Sequence, residues 1–148
     1  MIPPQVLVAG HDTTAADAAR LATETIGWSP VVIPPHDVLR EAVAVVLPAY
    51  VLLDVEHPAA TDPALYAVVS HVRARVVLYG TRMSMLHLRR LAVRFGVGTI
   101  DVPYESPGFS GAVEHRLDAE EWLSGWLCTR RTPPHVIMPS IDSDTLSS

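Results

Sequence analysis

Tyr50-Val51-Leu52-Leu53-Asp54-Val55-Glu56-His57-Pro58 is the stretch on which the reading of this chain turns. A short apolar run ends in a carboxylate and then meets turn residues. A run of that length and composition, without polar alternation, is the signature of a strand buried on both faces. Such strands belong to parallel sheets covered by helices. Asp54 then stands at the carboxyl end of its strand, where open α/β sheets gather their chemistry.

The pattern repeats on both sides. Val6-Leu7-Val8-Ala9 is an apolar run ending at Gly10-His11-Asp12. Thr13 or Thr14 is placed to cap a helix whose inner face takes Ala15, Ala18, Ala22 and Ile26, with Gly27 as its stop. Pro30 to Ile33 reads as a second strand, and Asp37 to Leu47 as a second helix closed by Pro48. After the central strand, Asp62-Pro63 is a cap followed by proline at the first helical position, opening a helix to about Val72. Arg75 to Tyr79 is a fourth strand ending at Gly80-Thr81. Ser84 to Phe95 is a fourth helix, with Leu88, Leu91, Ala92 and Phe95 inward and Gly96 as its stop. Thr99 to Val102 is a fifth strand, and Ser106-Pro107 opens a last helix reaching about Leu127. Strands alternating with helices predict a doubly wound five-stranded parallel sheet, flavodoxin-like, in the order 2-1-3-4-5. The domain spans residues 1–127, and residues 128–148, rich in Pro, Ser, Thr and Asp, read as a flexible tail.

Composition narrows the function classes. A chain of 148 residues is one domain, and its apolar fraction of 49% is ample for a core. No apolar run is long enough for a membrane span. Met1-Ile2-Pro3-Pro4 has no basic residue of the kind that opens a signal peptide. With Cys128 alone, no internal disulfide forms, and a cytoplasmic setting follows. A net charge of -5 argues against nucleic acid as a partner. All 11 basic residues are arginine, and there is no lysine.

In the order and spacing of these elements the chain resembles the receiver domains of two-component response regulators, over about residues 5 to 127. Receivers accept a phosphoryl group on an Asp ending the third strand, often with Pro four positions on; Asp54 and Pro58 match. Receivers carry Lys-Pro after the fifth strand; Val102-Pro103 match in the proline alone. Where receivers hold Mg²⁺ with two adjacent carboxylates after the first strand, this chain has Gly10-His11, then Asp12. Where they place Thr or Ser after the fourth strand, it has Gly80, then Thr81. Phosphoryl transfer to a carboxylate brings negative charges together, and a divalent cation and fixed cations must offset them. Mg²⁺ prefers hard oxygen ligands. Asp12 and Asp54 are therefore weak metal candidates, and His11, Glu56, Gly80, Thr81, Val102 and Pro103 complete the rim. For Asp12 the cap of the first helix is the favoured reading over a metal ligand.

The resemblance thus implies a stand-alone pseudo-receiver: a signalling domain of two-component phosphorelay type with a degenerate phosphoacceptor site, no enzyme, needing no cofactor and holding Mg²⁺ weakly at best. Its partner is a histidine kinase or output protein, met through the fourth helix, fifth strand and fifth helix. Arg89, Arg90 and Arg94 on the fourth helix suit either that surface or a solvated helix face, and Trp122 and Trp126, four apart on the last helix, suit either packing against the domain or a dimer or partner contact. Two alternatives stay open. One is a working receiver phosphorylated on Asp54. The other is a flavodoxin-like domain binding a small ligand, or a metal through His11, His57, Asp54 and Glu56.

Overall fold

The computed structural model describes residues 4–117, nearly all of the compact unit Met1–Arg116. The expected end of the last helix near Leu127, with Trp122, Trp126, Cys128 and the tail, lies outside the described residues.

Five parallel strands form one sheet in the order β2-β1-β3-β4-β5. They are β1 (Gln5–Ala9), β2 (Ser29–Val32), β3 (Tyr50–Asp54), β4 (Arg75–Tyr79) and β5 (Gly98–Thr99). The strand order is the one the alternating pattern implies. β3 runs beside β1 from Val6↔Tyr50 to Ala9↔Leu53, and beside β4 from Tyr50↔Arg75 to Asp54↔Tyr79. Every residue of β3 is buried. Successive side chains of a strand point to opposite faces, so Leu52 and Leu53 serve two different layers.

On one face Leu7, Val51, Leu53, Val76 and Leu78 pack with residues of three helices: α2 (Leu39–Val46), α3 (Pro63–His71) and α4 (Met85–Phe95). On the other, Val6, Val8, Leu52, Val77 and Tyr79 are buried with α1 (Thr13–Thr25) and a helix, α5, that begins at residue 109. Burying each leucine fully contributes roughly 1.5–3 kcal/mol relative to exposure, so the two layers are the main source of stability.

Local chemistry adjusts several boundaries. Of the two readings of the α1 cap, Asp12 holds and Thr13 or Thr14 does not: the Asp12 Oδ1 accepts from Ala15 N–H at 2.9 Å. Carboxylate oxygens are good N-cap acceptors and also meet the positive end of the helix dipole. The buried face of α1 is Ala15, Ala16, Ala19, Ala22 and Thr23, rotated from the expected stripe; Ala18 and Ile26 are half-buried. Thr23 can be buried because its hydroxyl donates to Ala19 O at 2.8 Å. α2 starts at Leu39, since Asp37 N–H closes a turn onto Pro34 O. α3 keeps its expected cap, with Asp62 Oδ1 accepting from Ala64 N–H at 3.0 Å. In α4, Phe95 is only half-buried, and its ring stacks on Tyr66, centroids 3.9 Å apart.

The largest departure is β5. Its expected span, Thr99 to Val102, shrinks to Gly98–Thr99, followed by one more ladder bond from Ile100 N–H to Leu78 O at 2.8 Å. Beyond it, Asp101 turns to accept from Thr99 Oγ1 at 2.9 Å, and Pro103 has no N–H to extend the ladder. Ser106-Pro107-Gly108 likewise forms a turn, with Phe109 N–H on Ser106 O, and α5 follows it instead of starting at Ser106.

Candidate functional site at the end of the central strand

The turns after β1, β3 and β4 meet around Asp54. The tight packing of the turn after β1 sets the geometry. A Cβ on Gly10 would stand 2.6 Å from Ala16 N and 3.0 Å from Asp12 O, both backbone atoms, so no side chain is tolerated there. The first of the two positions at which receivers carry metal-binding acids is therefore closed. The bare backbone at Gly10 lets the chain turn at once into the α1 cap. That brings His11 N–H to 3.0 Å from Asp54 Oδ2.

Asp54 is 0% exposed, and both its oxygens are occupied. Oδ2 accepts from His11 N–H and, through a short contact, from His11 Nδ1; Oδ1 accepts from Glu56 N–H at 3.0 Å. The His11 ring reaches onward: Nε2 lies 3.2 Å from Asp12 Oδ2. Each ring nitrogen thus faces a carboxylate oxygen, an arrangement that favours the doubly protonated ring. The hydrogen bond to Asp54 raises the proton affinity of His11 above the usual histidine value; partial burial opposes the rise, and the Asp54, Asp12 and Glu56 charges add to it. A carboxylate removed from water needs hydrogen bonds and an opposite charge close by. His11 supplies the hydrogen bonds, and its raised proton affinity favours the charge.

His57 sits on the opposite flank. It is 5% exposed, and its Nδ1 accepts from Ala59 N–H at 3.0 Å, capping the short turn Pro58–Thr61. The remaining nitrogen, Nε2, is buried without a hydrogen-bond partner among the described residues. Burial pushes the proton affinity of His57 down, outweighing the nearby Asp54 charge. Glu56 is exposed and touches the cluster through its backbone N–H.

The turn after β4 is closed as well. A Cβ on Gly80 would run into Ser84 Oγ and stand 3.1 Å from Val55 Cγ1. The space a threonine would fill is thus taken by the Ser84 hydroxyl, which accepts from Thr81 N–H at 2.9 Å and donates to Thr81 O at 3.0 Å. Thr81 is consumed in this same box as the cap of the turn Arg82–Ser84. Arg82 N–H donates to Glu105 Oε1 at 3.0 Å, and Tyr104 N–H to Gly80 O at 3.0 Å, which ties the loop carrying Val102 and Pro103 to the end of β4.

Sequence reading overlooked Tyr79 and Ser84. Tyr79, beside Asp54 in the β3–β4 register, is buried, with its hydroxyl 3.3 Å from Ala9 O and 3.2 Å from Ala15 O. Its ring meets those of Tyr104 and Phe109 at 6.0 and 5.7 Å. Burial, reinforced by the Asp54 charge, raises the Tyr79 hydroxyl well above its usual value, so it stays a neutral donor. Its only signal in the sequence was a large aromatic at a strand end.

The donor set does not suit Mg²⁺. Asp12 spends one oxygen on the helix cap and points the other at His11. Asp54 has no oxygen without a protein donor, and both His11 ring nitrogens are turned onto carboxylate oxygens. Among the described residues no three His, Cys, Asp or Glu side chains are grouped to hold a metal ion. None of the helices among those residues is long and apolar enough to cross a membrane.

No family model and no curated protein matches the chain. Solved structures do, and they share the receiver fold. The chain is similar to the signal receiver domain of the response regulator NarL from Mycobacterium tuberculosis, with 20% identity, TM-score 0.60, and 82% of this chain covering 98% of that one. It is similar to the receiver domain of NtrC4 from Aquifex aeolicus, with 13% identity, TM-score 0.58 and coverage of 78% and 97%. It is also similar to the CheY-like protein TadZ from Pseudomonas aeruginosa, with 16% identity, TM-score 0.57 and coverage of 77% and 98%.

Proposed function

We propose that this chain is a receiver-type signalling domain that works by protein contact and does not carry a phosphoryl group on Asp54. One observation carries the reading. The phosphoacceptor position of this fold is a fully buried carboxylate whose two oxygens are held by His11 and Glu56. An in-line attack on a phosphodonor needs an exposed carboxylate oxygen and cations around the transferring group. Here His11 holds Oδ2, and no lysine exists to neutralise phosphoryl oxygens.

The contact surface in this reading is the outer face of α4, continued by β5 and α5. Leu86 and Val93, 85% exposed, alternate there with Arg89, Arg90 and Arg94, and Met83, 92% exposed, stands in the turn just before the helix. Apolar anchors among cations suit an acidic, amphipathic segment of a partner, whether a histidine kinase or an output protein. A second copy of the chain is a further candidate for the same face.

Incubation with acetyl phosphate and Mg²⁺ followed by intact mass tests the reading. The mass should not change, and Asp54→Asn should bind a partner as the native chain does. A stoichiometric gain of one phosphoryl group, abolished by Asp54→Asn, would establish a working receiver instead.

A further inference from the structure

We infer that His11 is the resident cation of this site, bridging Asp54 and Asp12 in place of a divalent ion, so that occupancy of the pocket is built into the chain and does not depend on Mg²⁺. The inference deepens the functional reading above and rests on it in one respect: Asp54 is taken as unmodified.

Three nitrogens of one residue face the two carboxylates, two of them on Asp54 and the third within ion-pair distance of Asp12. His11 N–H and Nδ1 meet Asp54 Oδ2, and Nε2 stands 3.2 Å from Asp12 Oδ2. Neither carboxylate is free to swing away. Asp12 is fixed by its bond to Ala15 N–H, and Asp54 by its bond to Glu56 N–H at the end of a strand paired on both sides. Gly10 completes the device, since the approach of α1 leaves room only for hydrogen at that position. The ring is thus clamped between two anchored negative charges, as a small cation would be.

Two consequences separate this role from ordinary packing. A divalent cation entering the pocket must displace an imidazolium from both carboxylates and meets a like charge while doing so. Removing the His11 charge should leave Asp54 and Asp12 facing each other without compensation, and the vacated space should then attract a hard cation. A ligand that binds only the folded state raises its melting temperature. The melting temperature of the native chain should therefore ignore Mg²⁺, and that of a variant lacking the charge should not.

The experiment is thermal unfolding in EDTA and in millimolar Mg²⁺ at matched ionic strength, for the native chain, His11→Asn and His11→Asp. His11→Asn keeps a short polar side chain without the charge. His11→Asp supplies the adjacent acidic pair and should respond more strongly. The expected result is no shift for the native chain and a rise of about 3–6 °C with Mg²⁺ for each variant, from a lower starting point in EDTA. A variant that folds only in Mg²⁺ supports the inference in the same way. A native chain stabilised by Mg²⁺ as much as the variants overturns it. So does a folded His11→Asn that ignores Mg²⁺, or one that Mg²⁺ cannot rescue. Intact mass of the same samples after acetyl phosphate keeps the two ideas apart: a phosphorylated native chain defeats the functional reading, whereas the melting comparison alone judges His11.

Discussion

His11 and His57 flank the end of β3, and the charge of Asp54 favours the protonated form of both. The two nonetheless move in opposite directions. The His11 side chain is 34% exposed and in direct contact with the carboxylate, and its proton affinity rises. His57 is buried, spends Nδ1 as an acceptor on the turn that follows, and its proton affinity falls. A common nearby charge therefore does not decide protonation. Direct hydrogen bonding to the charged form outweighs partial burial on one side, and desolvation outweighs a charge without contact on the other. One histidine is a cation that neutralises a buried acid, and the other is a neutral cap with a buried N–H left over.

The most damaging test removes the platform that both histidines share. Leu53→Ala or Leu52→Ala should cost about 2–5 kcal/mol in denaturant unfolding, because each leaves a cavity in one layer beneath Asp54. A loss below about 1 kcal/mol would mean that β3 does not anchor the rim.

His11→Ala should come next, at about 1–3 kcal/mol, since the buried Asp54 charge loses its counter-charge and ring donor. His57→Leu should change stability by less than about 1 kcal/mol: the lost cap to Ala59 is offset by removal of an unsatisfied buried donor. Equal losses in the two variants, read from urea melts near neutral pH, would erase the distinction, and a larger loss for His57→Leu would invert it.

The smallest effects lie in the pH dependence, and their signs differ. His11 is raised above 6.5 in the folded state, so its contribution is fully present below that pH and fades as pH climbs through the folded value. His57 is lowered below 6.5, so its contribution is present above that pH and is lost as pH falls through the folded value. Stability of the native chain should decline in both directions from near 6.5 as far as these two groups are concerned. His11→Ala should remove the alkaline slope and His57→Leu the acid one; melts across that range in both variants would expose a swapped assignment.

Periodicity made the framework of this chain legible, because each buried element repeats a burial requirement along its length. β3 and β4 emerge with their observed limits from two apolar runs bounded by turn residues. Asp62-Pro63 marks the start of α3 because a cap and a proline are local chemistry, complete within a few residues. β5 was not legible to its end, since an edge strand pairs on one side only, and Asp101 and Pro103 settle where pairing stops.

At the site, the sequence by itself established that Asp54 ends the central strand and that the chain has neither a lysine nor two adjacent acids after the first strand. Those are statements about identity and order along the chain. What the acid touches depended on the packing of three separate turns. Only the tertiary structure closes Gly10 against Ala16, Gly80 against Ser84, and turns His11 onto Asp54, forty-three positions away. His11 occupied an acidic residue's place in the sequence and read there as a missing ligand. In the fold it is the compensating charge, because burying a carboxylate between strands leaves a requirement for a cation that the nearest approaching backbone must meet.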